Sequence, residues 1–239
     1  VGTAGATGVW ADENTREGIF DAMKRKETYG TSVPLMRVRF FGGWELPKSM
    51  ADADDFDKQG YENGVPMGGD LPARNAADKS KAPTFAVWAL KDPESGNLDR
   101  VQIIKGFINK WGRPGEKIYD VVWSGDRKHD AATGKLPPVG NTVDLKTATY
   151  KNTIGSTQLS AVWTDPDLDP SQRAVYYLRV LEIPTPRWST YDAVRNNLPL
   201  PTIVPSTIQE RAWSSPIWYT PSADESKERA IEPKPGHLQ

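Results

Sequence analysis

Few residues in this chain are of types that could run a reaction by themselves. The sequence holds two histidines, His129 in a polar turn and His237 near the carboxy terminus, and no cysteine. Neither histidine has a second imidazole or a carboxylate at metal-ligand spacing, so no histidine metal cluster is expected. Without cysteine there is no disulfide, no thiolate zinc site and no cysteine nucleophile. A serine hydrolase needs a base beside its nucleophile, but the chain has no Gly-x-Ser-x-Gly elbow and its one histidine outside the tail lies in a turn. Asp165-Pro166-Asp167-Leu168-Asp169 spaces carboxylates as a calcium loop does. The position that needs Gly holds Pro170 and the one that needs Glu holds Tyr176, so the segment reads as a proline-stiffened turn with solvated acids. Asp52, Asp54, Asp55 and Asp57 form an acidic run without glycine-defined geometry, which reads as a solvated loop. No catalytic residue and no metal ligand is assigned from these patterns.

Two arginine-bearing segments carry the ligand-binding expectation. Arg16 falls in the first turn of an amino-terminal helix, where free amides and the helix dipole also favour anions. Its ordinary alternative is a surface salt bridge. Arg187-Trp188 follows Pro184 and Pro186 at the exit of a long strand, a placement that presents guanidinium and indole together to a ligand, or else forms a packing corner. Nine tryptophans exceed ordinary usage for a chain of this size. They read either as a stacking platform for a sugar or as large-area core and sheet packing, the second being the commoner use.

The elements that would position these residues follow from periodicity. Ile19, Phe20 and Met23 recur at helical spacing, which predicts an amphipathic helix from about Asn14 to Tyr29, with Asn14 as N-cap, Glu17 closing a capping box and Gly30 as the exit. The pattern then switches to period two in Met36-Arg37-Val38-Arg39-Phe40, a strand with basic residues on one face. No strand is evident in the glycine-rich residues before the helix, so residues 1–45 read as the last helix-strand unit of an incomplete α/β domain. Residues 46–81 are polar, rich in Gly and Pro and without periodicity, and read as a long loop. Six strand candidates follow at Thr84–Leu90, Arg100–Lys105, Lys117–Ser124, Thr142–Tyr150, Gln158–Trp163 and Arg173–Glu182, separated by turn signals such as Asp92-Pro93 and Arg113-Pro114-Gly115. A short helix near Thr190–Val194 and a last strand at Pro216–Tyr219 complete a β-rich domain over 82–221. The charged residues 222–239 read as a flexible tail. The expected class is α+β, a mostly antiparallel sandwich-like domain behind the helix-strand unit.

Composition narrows the partners. Lys plus Arg total 30 and Asp plus Glu 31, so no basic face points to nucleic acid. No apolar run reaches the length of about 18 residues that spans a bilayer. The absence of cysteine fits a cytoplasm or a bacterial periplasm, and the periplasm is the slightly favoured expectation.

Several strings are distinctive in themselves. Gly8-Val9-Trp10-Ala11-Asp12-Glu13-Asn14-Thr15-Arg16-Glu17, Arg37-Val38-Arg39-Phe40-Phe41-Gly42-Gly43-Trp44 and Val65-Pro66-Met67-Gly68-Gly69-Asp70-Leu71-Pro72 resemble the carboxy-terminal region of the bacterial DUF3604 family. Trp88-Ala89-Leu90-Lys91-Asp92-Pro93, Leu136-Pro137-Pro138-Val139-Gly140-Asn141-Thr142-Val143, Ile183-Pro184-Thr185-Pro186-Arg187-Trp188 and Gln209-Glu210-Arg211-Ala212-Trp213-Ser214-Ser215-Pro216-Ile217-Trp218-Tyr219 extend the likeness to about Pro221. That family resembles PHP-type metal-dependent hydrolases, whose His and Asp ligands lie mostly in a larger amino-terminal part. The resemblance implies that this chain is a carboxy-terminal scaffold segment, inactive alone and partnered by the amino-terminal part of the same protein. It also implies a divalent metal in the full-length protein, none in this chain, and a small-molecule substrate that it does not name. The alternative expectation is a non-enzymatic sandwich module that binds a carbohydrate or a protein through exposed tryptophans.

Overall fold

In the computed structural model, which describes residues 5–74 and 81–228, the strict alternation of buried and half-buried residues along Ala174–Glu182 becomes the centre of a large antiparallel sheet. Its strands lie in the order β1 (Ala6–Val9), β2 (Thr28–Thr31), β12 (Arg211–Ser214), β9 (Ala174–Glu182), β6 (Leu98–Ile108) and β7 (Pro114–Trp123). A further strand, β13 (Ile217–Tyr219), also pairs with β9. A smaller sheet runs β4 (Val65–Pro66), β3 (Arg37–Gly43), β5 (Thr84–Leu90) and β8 (Gln158–Thr164). The strands β10 (Thr185–Pro186) and β11 (Thr207–Ile208) form a separate ribbon, and all strand pairings are antiparallel.

The two sheets bury one core between them. Val38, Phe40, Phe85, Val87 and Leu159 from the smaller sheet meet Val101, Ile103, Tyr176, Leu178, Val180, Ala212 and Ile217 from the larger. Phe85 joins the layers, with its ring stacked on Phe40 at 5.5 Å and 4.4 Å from the ring of Tyr176. The expected class therefore holds: a β-rich, sandwich-like α+β fold with few helices.

A charged pair is also buried between the layers. Lys105 Nζ on β6 donates to Asp165 Oδ2 at 2.6 Å and to the Asp167 carbonyl at 2.7 Å. The Tyr176 hydroxyl donates to the same Oδ2 at 2.7 Å, and the Asp167 amide donates to Asp165 Oδ1 at 2.8 Å. The Asp165-Pro166-Asp167 turn is thus no calcium loop: Asp165 points inward and ties the exit of β8 to the opposite sheet. Burial, and then the Asp165 charge, push the Tyr176 hydroxyl far above its ordinary range.

Several boundaries differ from expectation for physical reasons. The first helix, α1, is shorter than predicted, Arg16–Lys24, and Thr15 rather than Asn14 caps it, its Oγ1 accepting from the Gly18 amide at 3.1 Å. The chain leaves the helix at Lys26, which takes a positive φ of 61°, and Gly30 is a strand residue. Residues 28–31 extend because β1 and β12 offer them ladders on both sides, and tertiary pairing outweighs helix propensity. The residues before the helix form β1, antiparallel to β2, while β3 belongs to the other sheet. The helix-strand unit that sequence assigns to an α/β domain thus contributes to both layers of the sandwich.

The segment 46–81 is more ordered than a plain loop. It carries a 3₁₀ turn, Lys48–Asp52, and a helix, α2 (Phe56–Asn63), before β4; residues 75–80 fall outside the described residues. Leu46, Met50 and Phe56 are buried against Phe41 and Ala86 on the outer face of β3 and β5. Three apolar anchors at irregular spacing give no periodic signal, which is why the sequence hides this layer. Gly60 lets α2 lie flat, since a Cβ there would stand 2.5 Å from the Phe41 ring.

Thr142–Tyr150 is not a strand. It is held by one Asp144–Thr149 bridge, an Asp144 carboxylate accepting from the Lys146 amide and a positive φ of 51° at Ala148. Ala148 is its one buried residue, so its alternation has no sheet face to pack on. The short helix near Thr190 runs Trp188–Arg195 (α3), and the tail opens with a further helix, Ala223–Glu228 (α4). Glu225 binds Arg74 through Nη2 at 2.6 Å and Nε at 2.9 Å, which anchors the start of that tail; residues 229–239, with His237, lie outside the described residues.

Candidate functional site

The period-two pattern of β3 turns Val38 and Phe40 into the core and sets Arg37 and Arg39 on the outer face of the smaller sheet. On that face Arg39 stands opposite Trp88 of β5, and Leu90 of β5 stands between Arg37 and Gln158 of β8. The 3₁₀ turn and α2 roof one end of the face. At the other end a cleft of about 510 Å³ stays open, lined by Trp10, Arg37, Arg39, Trp88, Gln158 and residues 53–58 at the start of α2.

Arg39 organises the cleft. Its guanidinium carbon lies 3.4 Å from the centre of the Trp10 ring, an arrangement that contributes up to about 2 kcal/mol when desolvated. Trp10 is held in turn by its indole N–H, which donates to the Val38 carbonyl at 2.9 Å. The Nη2 of Arg39 meets Asp57 Oδ2 at 2.8 Å, and Nη1 donates to the Tyr61 hydroxyl at 3.0 Å. The Tyr61 hydroxyl donates to buried Glu27, which also lies 3.8 Å from Nη1. Burial first, and then the bond to Glu27, push the Tyr61 hydroxyl up to about 12, so it remains a proton donor and no nucleophile at neutral pH. The Nε of Arg39 is buried without a partner. Arg37, Asp54 and Gln158 are exposed at the cleft and make no side-chain hydrogen bond among the described residues. The site therefore presents a stacked, immobilised guanidinium, a half-buried indole and free donors and acceptors, an arrangement that binds and orients.

The arginines singled out from sequence lie elsewhere. Arg16 is exposed on α1 in a groove with Glu17, Ile19, Phe20 and Met23, and Thr15 already satisfies the Gly18 amide beside it. Arg187 is a corner: its amide donates to the Ser206 carbonyl, its Nε to the Pro205 carbonyl at 2.9 Å, and its own carbonyl accepts from Thr190 in α3. Trp188, 43 % exposed, is the first residue of α3. None of the three lines the Arg39 cleft. Of the cleft residues, the Arg37-x-Arg39 face and the acids 52–57 were visible in sequence, while their meeting with Trp10 and Trp88 depends on the fold.

A second polar group of interest is Glu182, which is fully buried. Its Oε2 accepts from Ser95 Oγ at 2.7 Å while Oε1 has no partner. Burial, reinforced by the charges of Glu210 and Asp92 and opposed by the Ser95 bond, raises its pKa to about 8. Glu182 faces no cleft named above, and among the described residues no three His, Cys, Asp or Glu side chains converge as a metal site.

No curated protein and no solved structure matches the chain. A family model described as a protein of unknown function, DUF3604, matches residues 1–221, a span that contains both sheets and the whole Arg39 cleft. With that span covering nearly its entire length, the chain belongs to the DUF3604 family.

Proposed function

We propose that this chain is the carboxy-terminal, non-catalytic scaffold segment of a metal-dependent hydrolase, and that the Arg39 cleft is the surface on which it holds a small-molecule ligand. The observation that carries the ligand-holding role is the cleft itself, where Arg39 is fixed by Trp10, Asp57 and Tyr61 while Arg37, Asp54 and Gln158 remain unspent. Preorganised polar groups beside an indole are the ordinary makings of a small-molecule site. The hydrolase part of the reading rests on the family resemblance, with the divalent ion assigned to the amino-terminal part of the protein. The exposed apolar residues of α1, Phe20 at 63 % and Met23 at 56 %, support contact with that part.

The test is activity with Mn²⁺ or Zn²⁺ on p-nitrophenyl phosphate and on a p-nitroanilide. The 239-residue chain is expected to stay at the buffer rate, and the full-length protein with the same ion to turn over one of the two. Metal-dependent turnover by the chain alone would overturn the scaffold reading.

A second reading is a non-enzymatic module that binds a carbohydrate or a protein through exposed tryptophans. It is favoured by Trp111, Trp188, Trp213 and Trp218, which are 36–53 % exposed. The two readings place the ligand on different indoles, which makes them separable.

A further inference from the structure

We infer that the ligand of the Arg39 cleft is a neutral, hydroxyl-rich ring of pyranose type, one or two rings long. This rests on the reading that the cleft holds a ligand, and adds its chemical class.

Charge is the first argument. The ionisable groups that line the cleft are Arg37, Arg39 and Lys58 against Asp54, Asp55 and Asp57, so the signs cancel. Internal pairing then removes most of them. Arg39 is engaged by Asp57 and Tyr61, Lys58 lies 3.9 Å from Glu62, and Asp55 Oδ1 accepts from the Gln59 side chain at 2.6 Å. What remains is one cation, Arg37, two carboxylates, Asp54 and Asp55, the second already accepting from the neutral Gln59 amide, and one amide, Gln158. A carboxylate or phosphate entering here meets Asp54 and Asp55 as like charges, and an ammonium group meets Arg37. A hydroxyl both donates and accepts, so neighbouring hydroxyls on one ring satisfy Asp54, Arg37 and the amide together.

Shape is the second argument. Trp88 lines the cleft half-buried, offering indole surface to the C–H face of a sugar ring, while the ring of Trp10 is occupied by Arg39. A volume of about 510 Å³ lies within the small-molecule range.

Calorimetric titration of the chain with neutral gluco-, galacto- and manno-configured disaccharides, and with digalacturonate and glucose 6-phosphate as charged counterparts, tests this. At least one neutral disaccharide is expected to bind. Arg37→Ala and Asp54→Asn, both at exposed positions, are each expected to weaken that binding about tenfold, the loss that follows removal of a hydrogen bond to a charged group. Trp111→Ala, on the distant β6–β7 hairpin, is expected to change nothing; unchanged thermal melts certify that the variants fold. A charged sugar that binds tighter than every neutral one and is weakened by Arg37→Ala overturns the ligand class and leaves the ligand-holding cleft standing. Sugar binding that survives Arg37→Ala and Asp54→Asn but is lost in Trp111→Ala overturns both. No binding of any sugar overturns the inference.

Discussion

Replacing Asp165 by Ala is expected to lower folding stability by about 3–5 kcal/mol, read as a fall in the urea midpoint at constant slope. The size follows from what is left behind. Lys105 is 4 % exposed and Asp165 1 % exposed, and Asp165 is the carboxylate within reach of the Lys105 ammonium and the Tyr176 hydroxyl. Without it the ammonium keeps the Asp167 carbonyl alone, and a buried charge without its counter-ion costs several kcal/mol. Removing both charges is a different experiment: Lys105→Met with Asp165→Leu is expected to recover most of the loss, because the pair's attraction largely offsets its own desolvation. A single-variant loss below about 1 kcal/mol, the range of exposed pairs, would contradict the buried bridge between the sheets.

Folding stability is expected to fall as pH rises from about 4.5 to 8, and Glu182→Gln to remove most of that fall. Burial raises the Glu182 pKa from 4.5 to about 8, so between those values the native chain keeps a proton that the unfolded chain has released. Where the native state binds more protons, stability decreases with rising pH. The contribution is fully present below the unfolded value and is lost as pH passes through the native one. Each pKa unit corresponds to about 1.4 kcal/mol, so the window carries on the order of 5 kcal/mol. Chemical denaturation at pH 5 and pH 9 reads it directly. Equal slopes for the wild-type chain and Glu182→Gln would show that Glu182 ionises freely in the folded state.

Much of the scaffold is legible in the sequence because it is written in local periodicity. Thr84–Leu90 is β5 with the same bounds as predicted, and the period-two face of Arg37 and Arg39 survives in β3. The α+β class follows from such strands and the turns between them. Less legible are the elements defined by their partners: β1, β10, β11 and β12 have two to four residues each and exist through the ladders that receive them. The same holds for α1, whose predicted continuation to Tyr29 loses to pairing with β12, and for Thr142–Tyr150, whose alternating pattern has no sheet to join.

The site divides along the same line. Arg37, Arg39 and the acids 52–57 are visible as patterns, but which face they share is decided by Leu46, Met50 and Phe56, three aperiodic anchors that fold segment 46–66 over Phe41. Trp10 is 29 positions from Arg39 and meets it because the chain leaving β1 passes β3, where the Trp10 indole N–H donates to the Val38 carbonyl. Arg16 and Arg187 carried better local signals, a helix start and a proline-marked corner. The structure gives the second of these to backbone carbonyls.

The central claim, that ligand is held at the Arg39 cleft, is tested most directly by following the nine indole N–H resonances of the chain during titration with the neutral disaccharides. The Trp88 resonance is expected to move with saturation. Movement of Trp111, Trp188, Trp213 or Trp218 with Trp88 unchanged would contradict it and place the ligand on the exposed tryptophans instead.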